Sequence, residues 1–452
     1  MYKLTLNEIT LACGGKYYGS ESEKNACITG VSINSREILS GNLFVCLKGE
    51  NVDGHDFAND AYNKNALCCL CEKEIVSDKP YILVESCSAA IREIAEFYRS
   101  ICKITVIGVT GSVGKTTMKE MIYSVISKKY SVHKTDKNLN NELGVPLTIF
   151  GIEEKHEIAV IEMGISGFGE MRRLAKCTRP DICVITNIGD AHLEFLVNRE
   201  GVLKAKTEML EFLNRDGEIY FYGGDEQLRT VKAKQKITYF GVEKKNDFYA
   251  EGYKDLGFEG TECVLANGGE RINLVVPAPG MHMLNNALAC YAVGKNFGLS
   301  AEQIKWGIED FVPSSGRSCI DRSGKFAIID DCYNANPTSV KASLEMLGKL
   351  SGRKVAILGD MNELGENSAE LHFEIGKVAA MQADLVICIG EKAKYMAEGA
   401  QGAGYFKNVD DAVSEISKSI KNGDTVLVKA SRGMKLERVV AKLKACSAGL
   451  NE

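Results

Sequence analysis

Residues 108–117 read Gly-Val-Thr-Gly-Ser-Val-Gly-Lys-Thr-Thr, preceded by the apolar run Ile104-Thr105-Val106-Ile107 and followed by a helix-like stretch from Met118 to Ser127. A strand that turns through glycines into a helix start gathers backbone N–H groups at the positive end of the helix, where they close around phosphate oxygens. Gly111, Ser112, Gly114, Lys115, Thr116 and Thr117 are therefore the candidate nucleotide contacts. Lys115 has the reach for the β- and γ-phosphates, and the Thr116 hydroxyl is placed to join a Mg2+ shell. The chain is expected to bind ATP or GTP. A generic phosphate loop carries glycine five residues before Gly114, where this chain has Val109; here Gly111, three residues before, takes its place. The resulting Thr-Gly-x-x-Gly-Lys-Thr-Thr pattern occurs in fewer families than the generic loop.

The surroundings of the loop predict an α/β protein. From Lys103 to Phe311, apolar strand-like runs (104–109, 158–163, 182–188, 218–222) alternate with helical ones (116–128, 169–176, 200–213). Strands of near-continuous apolar residues between helices signal a parallel sheet covered on both faces. Residues 235–277 change to short polar-broken strands, an expected antiparallel excursion, before two helices over 281–311. Residues 1–84 read as a small mixed α/β segment. Pro313-Ser314-Ser315-Gly316 is the strongest linker signal. Beyond it, strands near 325–330, 354–359, 384–389 and 425–429 predict a second, Rossmann-like doubly wound unit without a phosphate loop. A chain of 452 residues suits about three domains, here placed at 1–84, 85–312 and 313–452.

Composition narrows the partners. A formal net charge of −5 leaves no basic footprint for nucleic acid. The start, Met1-Tyr2-Lys3-Leu4, lacks the basic and apolar regions of a signal peptide, and no apolar run approaches the roughly 18 residues of a membrane span. A cytoplasmic monomer acting on small molecules, without membrane insertion, is expected. Most of the sixteen cysteines sit in apolar strand-like runs and read as reduced core residues, with no disulfides. Cys68 and Cys71 form a C-x-x-C with no second pair at zinc-ribbon spacing.

Ligands in parallel α/β sheets lie beyond the carboxyl ends of the strands, and several polar strings stand there. Glu162 closes the run 158–163, and a carboxylate beside a phosphate loop suits Mg2+. The run 182–188 leads into Gly189-Asp190-Ala191-His192. The loop Asn138-Leu139-Asn140-Asn141 is rich in amides that both donate and accept, serving either substrate or Asx turns. Lys204 and Lys206 fall on a helix, where lysines are ordinarily solvated. In the last unit, Asp330-Asp331-Cys332-Tyr333-Asn334-Ala335-Asn336-Pro337, Gly359 to Gly365 and Lys429-Ala430-Ser431-Arg432-Gly433 close successive strands.

Together these strings resemble the Mur ligase family of ATP-dependent amide-bond-forming enzymes. The likeness also takes in Val31-Ser32-Ile33-Asn34-Ser35-Arg36, Gly41 to Val45 and Asp53-Gly54-His55-Asp56-Phe57 at the front, and covers nearly the whole chain. The Asn-Leu-Asn-Asn and Asp-Asp-x-Tyr-Asn-Ala-Asn-Pro strings point to the member that joins D-alanyl-D-alanine to a UDP-N-acetylmuramoyl-tripeptide in peptidoglycan precursor synthesis. The resemblance implies three domains and an acyl phosphate made from ATP. It implies Mg2+, in two ions, held by Thr116, Glu162 and His192, with Lys206 carbamylated to help hold the second. Lys115, Lys206 and His192 are then the catalytic candidates. By the same resemblance Asn286, Arg317, Asp331 and Asn336 contact the nucleotide, Ser35 and Arg36 bind the UDP end, and Asn138, Asn140 and Asn141 lie along the substrate. Met283 stands where the family carries Asn. A sibling ligase with another acceptor, such as a folate-type polyglutamate enzyme, and a phosphate-loop switch that hydrolyses nucleotide to change shape are the alternatives.

Overall fold

Strand Thr105–Thr110, which delivers the phosphate loop, is an inner strand of a six-stranded, wholly parallel sheet. Across that sheet run Ile237–Phe240, Glu218–Tyr222, Ile182–Ile185, Thr105–Thr110, Ile158–Glu162 and Val132–Lys134. Successive side chains on a strand face opposite ways, and both faces are apolar. Val106, Ala159, Ile161 and Ile185 point into one core, with Ile91 and Ile94 of helix Cys87–Ile101. Ile107, Val109, Val160 and Val184 point into another, with Met121 and Val125 of helix Lys115–Ile126 and Leu284 and Leu288 of helix Met281–Asn296. From Thr105–Thr110 the chain passes to the edge strand Val132–Lys134, returns to Ile158–Glu162 between the two, then crosses to Ile182–Ile185 on the other side of Thr105–Thr110. That reversal opens a crevice at the carboxyl ends of the strands.

The computed structural model describes residues 1–449. In front of the central sheet lies a five-stranded one ordered Lys16–Tyr18, Tyr81–Leu83, Cys68–Cys71, Asn42–Val45 and Gly30–Ser32, parallel except for its first strand. Leu4, Leu6, Leu43 and Ile82 join the core under helix Cys87–Ile101, so the front and central sheets share one buried cluster. Behind it stands the third sheet: Cys319–Asp321, Ala327–Asp330, Thr425–Lys429, Lys354–Gly359, Leu385–Ile389 and Gly404–Phe406, parallel but for the antiparallel edge Cys319–Asp321.

Several details differ from the sequence-based expectation. Ile237–Phe240, grouped above with the antiparallel excursion, is a parallel edge strand of the central sheet; the excursion itself is Tyr249–Asp255, Thr261–Asn267 and Glu270–Val276. The helix expected over 200–213 is α-helical only through Thr207 and tightens into a 3-10 turn at Glu208–Phe212. Cys68 and Cys71 point to opposite faces of their strand, one into each neighbouring core, a geometry unsuited to sharing an ion. Among the described residues no helix is long and apolar enough to cross a membrane.

Candidate active site

The phosphate loop is fastened to the adjacent strand end. Gly111 has φ 152°, and a Cβ there would lie 1.9 Å from Thr186 Oγ1, so only glycine fits. Gly114, at φ 82°, turns the chain into helix Lys115–Ile126. Ser112 N donates to Asn187 O at 3.0 Å, Gly189 N to Ser112 Oγ at 2.9 Å, and Val113 N to Asn187 Oδ1 at 3.0 Å. Half-buried Lys115 folds back on the loop, Nζ donating to Gly111 O at 2.8 Å. Burial pulls its pKa below the usual lysine value, and the Arg317 charge pushes the same way. Thr117 follows in the first turn, half-buried.

Glu162, 1% exposed, faces that loop. Thr116 Oγ1 donates to its Oε2 at 2.8 Å and Asn140 Nδ2 to its Oε1 at 2.7 Å. Gly164 N donates to Asn140 O at 2.8 Å, fixing the loop against the strand end. Of the three asparagines proposed from sequence, Asn140 alone reaches the carboxylate. Asn138 is exposed and its carbonyl accepts from Asn140 N at 2.7 Å. Asn141 Oδ1 accepts from Gly144 N at 2.8 Å at the start of helix Gly144–Phe150, the Asx role left open above. That helix packs beside the front-sheet edge Gly30–Ser32. Ser35 and exposed Arg36 lie in the 3-10 turn that follows this edge, where Lys64 Nζ donates to their carbonyls at 2.9 and 3.2 Å.

Lys206 departs from the ordinary solvated lysine. Helix Arg199–Thr207, capped by Asn198, turns Val202, Ala205 and Lys206 inward and leaves Lys204 exposed. Lys206 is 0% exposed and its Nζ has no partner. Burial drives its pKa well below the usual value, and Lys115 adds repulsion. His192 holds left-handed backbone at φ 56°. Its Nδ1 lies 2.5 Å from Glu363 Oε2 in ion-pair range, without the alignment of a hydrogen bond.

The third sheet brings its own strand ends to this crevice. Asp190 N donates to Thr338 Oγ1 at 3.2 Å and Glu194 N to Glu363 O at 3.3 Å across the seam. Arg317, just past the linker, lies over the Tyr333 ring at 4.0 Å. Asp331 accepts from Lys429 Nζ at 2.6 Å, Ser343 Oγ at 2.7 Å and Ser318 N at 3.1 Å. Asn336 Oδ1 caps helix Pro337–Lys349 through Ser339 N at 2.8 Å. Buried Asn286 leaves its Nδ2 without a partner, whereas Met283, one turn earlier on the helix, is packed into the apolar core. Glu363 and Lys429 stood in strings noted from sequence, but not as partners of His192 and Asp331. Fully buried Lys119 was missed altogether. Its signal was available: Lys115 and Lys119, four residues apart, share one helix face.

Family models match three stretches of the chain: the Mur ligase family catalytic domain at residues 27–105, the Mur ligase middle domain at 109–294 and the Mur ligase glutamate ligase domain at 317–432. The chain is 35% identical to the UDP-N-acetylmuramoyl-tripeptide--D-alanyl-D-alanine ligase of Bacillus subtilis (strain 168), over 98% of this chain and 99% of that protein. It is similar to a crystal structure of MurF from Acinetobacter baumannii, with TM-score 0.91 and 29% identity over 98% of this chain and 99% of that one. It is also similar to the MurF ligase from Thermotoga maritima in complex with ADP, with TM-score 0.82 and 30% identity over 92% and 97% of the two chains. The chain belongs to the Mur ligase family.

Proposed function

We propose that this protein is the ATP-dependent, ADP-forming ligase that joins D-alanyl-D-alanine to UDP-N-acetylmuramoyl-tripeptide in peptidoglycan precursor synthesis. The observation that carries the reading is its end-to-end correspondence with the Bacillus subtilis ligase of that name. A carboxylate resists amines because its leaving group would be oxide. Transfer of the γ-phosphoryl to the terminal tripeptide carboxylate gives an acyl phosphate. The dipeptide amine attacks its carbonyl carbon, the C–N bond forms, phosphate leaves and the amine loses a proton. Lys115 stabilises charge on the transferred phosphoryl. Asn140 orients the Glu162 carboxylate at the mouth of the loop. The path from the front-sheet edge, with Ser35 and Arg36, along the asparagine loop to Glu162 supports the assignment of the UDP end and the reacting end of the substrate.

The donor set fits Mg2+. Thr116 and Glu162 offer hard oxygens, and the ion takes its remaining ligands from phosphates and water, since Mg2+ uses one or two carboxylates with a nucleotide. No group of three or more His, Cys, Asp and Glu side chains forms a protein-only metal cage among the described residues. A buried, partnerless Lys206 amine fits carbamylation: burial favours its neutral form, whose lone pair attacks CO2, an N–C bond forms and a proton leaves, turning a neutral amine into an anion. Carbamylated Lys206 and His192 would hold the second ion, and Mg2+ at both places would neutralise phosphate charge. Asn286, Arg317, Asp331 and Asn336 form the nucleotide side of the seam, within the divisions 1–84, 85–312 and 313–452. The nucleotide substrates suit the cytoplasm.

The test is phosphate release from ATP with UDP-N-acetylmuramoyl-tripeptide, with and without D-alanyl-D-alanine, and mass analysis of the product. Release that requires both, with a product heavier by the dipeptide less water, is expected. Release without either organic substrate would instead mark a nucleotide switch.

A further inference from the structure

Lys119 is fully buried, and the reaction above gives it no role. It lies one turn beyond Lys115 on the phosphate-loop helix. A buried ammonium must find acceptors, and these acceptors are specific. Nζ donates to Thr135 O at 2.6 Å, pairs with Glu120 Oε1 at 2.9 Å, and lies 3.9 Å from Glu162 Oε2. Glu120 is paired in turn with Lys134.

Thr135 is held at three points. Its N–H donates to Val160 O at 3.0 Å, its carbonyl accepts from Lys119, and its hydroxyl accepts from Glu162 N at 2.9 Å. The asparagine loop leaves the sheet directly after Thr135 and returns to place Asn140 Nδ2 on Glu162 Oε1. Lys119 thus grips the stem of the loop at the residue that also fixes the backbone of Glu162.

We propose that Lys119 is a positioning residue for the metal locus, aligning the Glu162 carboxylate and Asn140 through Thr135 for a nucleotide-bound divalent cation. The inference rests on Glu162 being a metal ligand. Simple electrostatics makes the opposite prediction. A positive charge 3.9 Å from the carboxylate repels a divalent ion, so a residue acting by charge alone would tighten metal binding when removed.

The experiment is Mn2+ binding to the full chain with ADP, read by electron paramagnetic resonance. Lys119→Met is expected to weaken Mn2+ binding about tenfold or more, the scale of groups that orient metal ligands. Lys119→Arg recovers most of the loss. Thr135→Val keeps both backbone bonds, removes only the hydroxyl, and also weakens Mn2+ binding. Metal-free ADP affinity and the KM for D-alanyl-D-alanine stay unchanged. Mn2+ bound as tightly or more tightly by Lys119→Met overturns the proposal, and Thr135→Val decides the matter if Lys119→Met does not fold. Glu162→Gln separates the two layers. Unchanged Mn2+ binding in Glu162→Gln overturns the metal assignment itself, whereas weakening there but not in Lys119→Met or Thr135→Val overturns the positioning role alone.

Discussion

His192 Nδ1 and Glu363 Oε2 meet 2.5 Å apart across the seam between the central and third sheets. Both residues hold left-handed backbone, at φ 56° and 61°, a conformation that costs a residue bearing a side chain about 1–3 kcal/mol. The contact with His192 holds the Glu363 carboxyl below the usual carboxylate range, against the opposing pull of burial. A carboxyl depressed in the folded state contributes stability that is present above its unfolded pKa and lost as pH falls through the folded value. Acidification through that window should therefore loosen the seam. Small-angle scattering of the ligand-free protein is expected to show a larger radius of gyration there, with unchanged far-UV dichroism. Glu363→Gln should be expanded already at neutral pH and lack the acid step. Identical curves for both proteins would show that this contact does not hold the seam.

Lys115 is parked on a carbonyl of its own loop rather than on a carboxylate, so little has to break before it reaches phosphate. Lys115→Met should lower kcat by about 10²- to 10³-fold, as for loss of one donor to developing charge. Thermal stability should stay nearly unchanged, since the displaced bond is local. Steady-state phosphate release and a melting curve check both halves.

The parallel sheets were readable because their strands are uninterrupted apolar runs and the phosphate loop marks where one of them ends. Glu162 was readable for the same reason, as a carboxylate at a strand end. Ile237–Phe240 was misread because it is an edge strand whose side chains alternate between buried and half-buried, and that alternation resembles an antiparallel strand. Cys319–Asp321 and Gly404–Phe406, three residues each, are too short for any period to show. The burial of Lys206 has no local signature. Its helix is mostly polar, and only the docking of that helix turns Lys206 inward. His192 with Glu363 and Asp331 with Lys429 are far apart in sequence, so only the tertiary fold pairs them.

Asp331 and Lys429 form an ion pair whose side chains are 11% and 4% exposed. Removing one member of such a pair strands the other charge, a loss of about 3–5 kcal/mol. Lys429→Met should therefore speed amide exchange across strand Thr425–Lys429 by a corresponding factor. Adding Asp331→Asn should recover much of it, because the amide still accepts from Ser318 N and can meet Ser343. Exchange rates that simply add in the double variant would show that the two side chains do not depend on each other.

Lys206 sets stability against function. Its pKa is driven down by burial first and by Lys115 second, so between the folded and unfolded values the unfolded chain binds the extra proton. Stability of the unmodified protein must then rise with pH across that interval, by up to about 1.4 kcal/mol per unit, and the penalty is greatest below the folded pKa. Lys206→Met keeps the volume and removes the charge. It should flatten that slope and stabilise the protein at neutral pH by about 1–2 kcal/mol, while turnover collapses with the loss of the amine that CO2 would modify. Bicarbonate with Mg2+ should raise the melting temperature of the lysine protein alone, and 13C-bicarbonate should give a carbamate resonance absent from Lys206→Met. An active Lys206→Met, or a lysine protein indifferent to bicarbonate, would return Lys206 to a purely structural role.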